Sequence, residues 1–204
     1  NINDQVTIDG NGYTLTSSAD EAVVIDANAR VEIKNYKIIG KSGHFGIGVE
    51  NQGDVITLDN VTVSVDNGCA LYVDSSVPAL TTFVIKDSNL SGLTAIALYA
   101  ERTGLTIRNT KLTGVSERPN SGTDYGVVDI NASGVVFLFY EGSISASTQE
   151  DKERLAVVYV ASGSSNVYFS ASVETVIQLA GTATIVDIDP ADTPTIGVGK
   201  QYKQ

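Results

Sequence analysis

The chain has no methionine and no tryptophan, one cysteine, one histidine and four prolines in 204 residues. Each scarcity removes a class of explanation. A single cysteine, Cys69, allows no internal disulfide and no Cys/His zinc cluster, so its simplest reading is a small buried residue in a strand. Few prolines leave long stretches free to form hydrogen-bonded ladders. Apolar runs are short: Val135 to Tyr140 falls far below the roughly 20 residues of a membrane-spanning helix, so no membrane insertion is expected. Basic residues are scarce, 13 Lys+Arg against 24 Asp+Glu, and the net charge of -11 opposes nucleic acid and anionic lipid as partners. No phosphate-binding glycine loop or nucleophile elbow occurs. With no methionine, and with Asn1 followed by neither a charged nor an apolar leader, the sequence reads as a processed or excised piece of a longer product that carries further domains.

What is present is a repeat. The segments VTIDGNGYTL from Val6, VEIKNYKIIG from Val31, ITLDNVTVSV from Ile56, FVIKDSNLSG from Phe83, LTIRNTKLTG from Leu105, FLFYEGSISA from Phe137 and, more weakly, VYFSASVETV from Val167 share one pattern. Two apolar residues stand two apart, a polar turn former follows two further on, and another apolar residue comes three beyond that. The second apolar positions (Ile8, Ile33, Leu58, Ile85, Ile107, Phe139, Phe169) are separated by 25, 25, 27, 22, 32 and 30 residues. A second recurring strand lies between them, at Val23, Gly46, Ala70, Ala95, Val127, Val157 and Ile185.

Period-two alternation predicts strands, and only Thr148 to Leu155 has a helical look. A unit of about 25 residues with three short strands cannot bury its apolar face alone, but stacked copies bury it continuously. The expected fold is therefore all-β: one domain over residues 1–204, built as a single-stranded parallel β-helix of about seven coils, right-handed because such crossovers nearly always are. On this repeat pattern the chain resembles the pectin-lyase-like class of right-handed parallel β-helices, and VTIDGNGYTL resembles the first coil of that class. The resemblance implies a fold; the class holds lyases, hydrolases, tailspikes and non-catalytic bacterial surface domains.

The alignment assigns inward and outward positions. Ile33, Val49, Leu58, Val73, Ile85, Leu98, Ile107 and Ile130 are expected in the core. Asn35, Asn60, Asp87 and Asn109 fall at equivalent turns, where a short polar side chain tolerates a left-handed backbone and bonds to the next coil. One outward column reads Asp9, Lys34, Asp59, Lys86, Arg108, Tyr140, Ser170, a charge ladder that needs no ligand. His44 aligns with Gly68 and is a corner residue rather than a base: Phe45 interrupts any resemblance to the Gly-His-Gly motif of β-helical polygalacturonases.

Two further columns carry the candidate site. One reads Asp26, Glu50, Asp74, Tyr99, Asn131; its neighbour reads Val24, Gly48, Tyr72, Ala97, Asp129, Tyr159, Asp187. Stacked carboxylates beside exposed tyrosines are either simply solvated, or a cation site (calcium being the ion considered), or a glycan platform, since tyrosine offers a flat apolar face and carboxylates accept sugar hydroxyls. The insertions Gly114 to Gly126 and Ser145 to Leu155 add Arg118 and Asp124 as binding candidates. Arg118-Pro119 resembles part of a pectate-lyase motif, but position 122, where that family has a second arginine, is Gly122. No pair of carboxyls is singled out as the acid and base of glycoside hydrolysis. The expected function is a non-catalytic secreted or surface-exposed bacterial module, adhesin-like, with no obligatory cofactor and a glycan or a host or cell-surface protein as partner. The alternative is a lyase or glycoside hydrolase acting on acidic polysaccharide.

Overall fold

The computed structural model describes residues 5–26, 30–51, 54–115, 126–147, 156–160, 165–170, 173–178, 184–188 and 195–198. The described residues contain no helix and form two sheets. The larger has 13 strands: β1 (Gln5–Asp9), β2 (Thr14–Thr16), β4 (Arg30–Ile39), β6 (Val55–Ser64), β8 (Thr82–Lys86), β9 (Asn89–Ser91), β11 (Gly104–Arg108), β12 (Thr110–Val115), β14 (Val136–Phe139), β15 (Gly142–Ser147), β17 (Asn166–Phe169), β18 (Val173–Gln178) and β20 (Thr195–Val198). The smaller has seven: β3 (Glu21–Ile25), β5 (Phe45–Val49), β7 (Cys69–Val73), β10 (Thr94–Leu98), β13 (Val128–Ile130), β16 (Ala156–Val160) and β19 (Thr184–Ile188). Neighbouring strands pair in parallel with the sequence repeat as their offset, as in Ile33↔Leu58, Leu58↔Ile85 and Ile85↔Ile107. This is a parallel β-solenoid.

The larger sheet bends along one line, and the repeat explains where. Asn35, Asn60, Asp87 and Asn109 adopt left-handed φ of 53°, 54°, 51° and 43°. Their side chains form a ladder along the bend: Asn60 Nδ2 donates to Asn35 Oδ1 (2.9 Å), Asn35 Nδ2 to Asp9 Oδ1 (3.1 Å) and Asn109 Nδ2 to Asp87 Oδ1. In β4 and β6 the strand runs unbroken through this corner, whereas β8 and β9 are separate. The expected three strands per unit thus become two where the corner is smooth enough to stay in register. β20 pairs with β17 through Val167↔Ile196 and ends the strand order of the larger sheet on that side. The segment 148–155, with its helical look, lies outside the described residues.

The eight expected core residues are all buried, none more than 1% exposed. Each contributes roughly 1.5–3 kcal/mol relative to exposure. Phe137, Phe139 and Phe169 fill one stretch of the interior with ring centroids 5.7 to 6.4 Å apart. On the outside, Lys34 Nζ lies 3.6 Å from Asp9 Oδ2, Lys86 Nζ 2.8 Å from Asp59 Oδ2, and the Arg108 guanidinium 4.8 Å from the Tyr140 ring centre. The predicted charge ladder exists, and pairs this open to water contribute about 1 kcal/mol or less each.

Candidate functional site

The outer face of the seven-stranded sheet carries the two predicted columns in the predicted register. The pairs Val24↔Gly48, Gly48↔Tyr72, Tyr72↔Ala97, Ala97↔Asp129, Asp129↔Tyr159 and Tyr159↔Asp187 all occur. Beside them, the amides of Glu50, Asp74, Tyr99 and Asn131 donate to the carbonyls of Ile25, Val49, Val73 and Leu98 at 2.8 to 3.0 Å, stacking Asp26, Glu50, Asp74, Tyr99 and Asn131.

The aromatic side chains lie differently from the exposed row that the columns alone suggest. Tyr72 and Tyr99 are half-buried. The Tyr72 ring folds back over the preceding strand and stacks on Phe45, with centroids 4.2 Å apart and planes 13° from parallel; Tyr99 follows at 5.6 Å, tilted by 46°. Gly48, beside Tyr72 in the column, makes room for a different side chain: a Cβ there would run into the Glu21 carboxylate. The Tyr72 hydroxyl donates to Asp74 Oδ2 at 3.1 Å. Burial, reinforced by that carboxylate, pushes the phenol up to about 12. Asp74 is held below the usual carboxylate range chiefly by the Ser76 hydroxyl and amide, the latter at 2.8 Å from Oδ1. Glu21 goes the other way, raised first by burial and then by the charge of Glu50.

Next to this aromatic row lies a cleft of about 290 Å³ that crosses four strands. Cys69, Thr94 and Ala97 line it together with Tyr72, Tyr99 and Phe45; the turn at Gly43–His44 and the Asp129 side chain belong to it as well. Asp129 was expected to face outward, as a binding candidate. It is 1% exposed, at the edge of the cleft. Cys69 is buried, its thiol donating to the Leu71 carbonyl at 3.1 Å and pushed up to about 12 by desolvation, which makes it a poor nucleophile.

His44 occupies the turn that enters β5. Its carbonyl accepts from the Cys69 amide at 2.9 Å and its Nδ1 lies 3.3 Å from Asp20 Oδ1. It is a corner residue, as expected, and also a lining residue of the cleft.

Of the sequence-predicted site residues, Tyr72, Tyr99 and Asp129 meet in the cleft. Asp74 and Glu50 flank it, Asp74 through Tyr72, while Asp26 stands exposed at the end of its column. Tyr159 is placed in register beside Asp129. Arg118, Asp124 and most of both insertions lie outside the described residues. Sequence reasoning missed Phe45 and Glu21; for Glu21 the signal available was Gly48, a gap in the column that its carboxylate fills. Among the described residues no three His, Cys, Asp or Glu side chains converge as metal ligands, and no helix is long and apolar enough to cross a membrane. The chain matches no family model, and neither a curated protein nor a solved structure matches it.

Proposed function

We propose that this chain is a non-catalytic, extracellular β-solenoid surface module of pectin-lyase-like, right-handed architecture that binds a saccharide on the outer face of its seven-stranded sheet. The observation that carries the reading is the cleft itself, where the half-buried rings of Tyr72 and Tyr99 adjoin the column of Glu50 and Asp74. A sugar ring presents an apolar C–H face and a rim of hydroxyls, and this combination offers a surface for the first and an acceptor for the second. The volume, about 290 Å³, is at the small end of ligand pockets, which suits one ring of a chain or terminus. Location at a bacterial cell surface, in an adhesin-like role, is supported by the acidic, Gly/Ser/Thr/Asn-rich composition.

The enzymatic alternative has less behind it. Hydrolysis of a glycosidic bond needs two carboxyls facing one another across the sugar, and Asp129 is the only carboxylate among the described residues that line the cleft. An acidic polysaccharide would also approach a chain of net charge -11. A glycan array, followed by calorimetry on the hits, tests the proposal. Tyr99→Ala and Tyr72→Ala should each weaken binding about tenfold or more while circular dichroism stays unchanged. Turnover of any hit, or affinity unaffected in both folded variants, would defeat it.

A further inference from the structure

We infer that the cleft takes the methyl group of a 6-deoxyhexose, with the hydroxyls of the sugar turned toward the rim. This rests on the saccharide reading above and names the ligand class for the same site.

The division of apolar and polar groups between the cleft and its rim supplies the argument. Phe45, Tyr72, Leu93 and Tyr99 line the cleft as half-buried side chains, and most of their surface is hydrocarbon. The Tyr72 hydroxyl is turned to Asp74, and the imidazole of His44 faces Asp20 at 3.3 Å. Deeper in the lining, Ala97 has a methyl only, and the Cys69 thiol already donates to the Leu71 carbonyl. Thr94 and Asp129 present almost no surface, 5% and 1%. A ligand hydroxyl directed into this lining gives up water for hydrocarbon, which weakens binding, whereas a methyl group gains by the same move.

Ring geometry sets the size of what enters. Phe45 and Tyr72 cover one another's faces at 4.2 Å, so no sugar ring passes between them, and a cleft of about 290 Å³ receives a substituent and the edge of one ring. The rim is different in kind. Glu50 and Asp74 stand in the column beside the rings. An ionised carboxylate is an acceptor only, with room for about four hydrogen bonds. Asp74 takes one from Tyr72 and one from the Ser76 amide, which leaves capacity for sugar hydroxyls.

A 6-deoxyhexose is divided in the same way, with one methyl on a ring carbon and hydroxyls around the rest. An N-acetyl group also ends in a methyl, but it brings an amide N–H and C=O that need partners of their own.

The test pairs each 6-deoxyhexose with the hexose that differs only by the added hydroxyl: L-fucose with L-galactose, L-rhamnose with L-mannose, and 6-deoxy-D-glucose with D-glucose. All are titrated as methyl glycosides, with N-acetylglucosamine alongside. An enclosed apolar pocket rejects an added hydroxyl by about a hundredfold, and this half-open one should prefer the deoxy member of at least one pair by about tenfold. Ala97→Ser, which offers that hydroxyl a partner, should cut the preference severalfold with circular dichroism unchanged. Leu93→Thr, at a half-buried position, should do the same if Ala97→Ser does not fold. A preference that survives in both folded variants places the methyl elsewhere and refutes the inference. Equal affinity within every pair refutes it too and leaves saccharide binding standing, as does binding of N-acetylglucosamine with none of the paired sugars. If nothing in the set binds, the inference falls; a blank glycan array then takes the saccharide reading with it, whereas a hit elsewhere on the array leaves that reading intact.

Discussion

Replacing Gly68 with alanine should be among the most damaging single-methyl additions possible in this fold. Gly68 sits at the corner entering β7, directly against the corresponding turn of the preceding coil. A Cβ there would run into the His44 carbonyl oxygen and approach the His44 nitrogen to 2.8 Å and Val65 Cγ1 to 2.6 Å. Two of those three atoms are backbone, so no rotamer change relieves them and the coils must separate. Overpacking of this kind costs about 1–3 kcal/mol. Moving the His44 oxygen also weakens the bond it accepts from the Cys69 amide at 2.9 Å, a further ~0.5–1.5 kcal/mol. The expected loss is about 2–4 kcal/mol. Gly104 provides the contrast, since a Cβ there meets no atom within 4 Å and its φ is ordinary. Gly104→Ala should gain roughly 0.4–1 kcal/mol by restricting the unfolded chain. Urea unfolding followed by tyrosine fluorescence reads both, as shifts of midpoint at constant slope. The reasoning is refuted if Gly68→Ala unfolds within about 0.5 kcal/mol of the parent, or if both variants lose stability equally.

Leu58→Asp places a carboxylate where the parent side chain is 1% exposed, and should abolish folding as read by circular dichroism; a cooperative transition near the parent's would show the core assignment to be wrong. Glu21 is raised by burial and by Glu50, so its ionised form is disfavoured in the folded state, and it costs stability above the usual glutamate range but not below it. Glu21→Gln should therefore raise the Tm at about pH 7 and have no such effect at about pH 3, where both states are protonated; a gain that persists in acid would contradict this. Along the column of Asp26, Glu50 and Asp74, sodium chloride should raise the Tm modestly through screening, with calcium adding nothing at equal ionic strength. A saturable calcium effect that disappears in Glu50→Gln would instead reveal a site.

The features legible in the sequence were those set by backbone periodicity. Alternation placed Ile33, Leu58, Ile85 and Ile107 in one inward file, and Asn35, Asn60 and Asn109 marked the corner because few other residues adopt its left-handed φ readily. Column membership followed from the same register, including Tyr72 beside Ala97 and Asp129. What alternation cannot convey is the direction a long side chain takes once it leaves the sheet. Tyr72 lies flat against Phe45 and Asp129 is buried, although both stand in a column read as outward-facing. Such directions follow from the packing around each side chain, a quantity with no period.

The charge ladder on the larger sheet gives its first four coils a parity. Asp9, Lys34, Asp59 and Lys86 alternate in sign from one coil to the next, and the close contacts are Asp9 with Lys34 and Asp59 with Lys86. Excising one repeat, from Lys34 to just before Asp59, would preserve the apolar files and the asparagine corner yet set Asp9 against Asp59. Excising two would restore an opposite-sign neighbour, Asp9 against Lys86. Over these four coils length is therefore not freely adjustable one coil at a time: shrinkage by pairs keeps the surface in phase, whereas an odd step leaves a seam of like charges such as the one Lys86 and Arg108 already form at the end of the alternation.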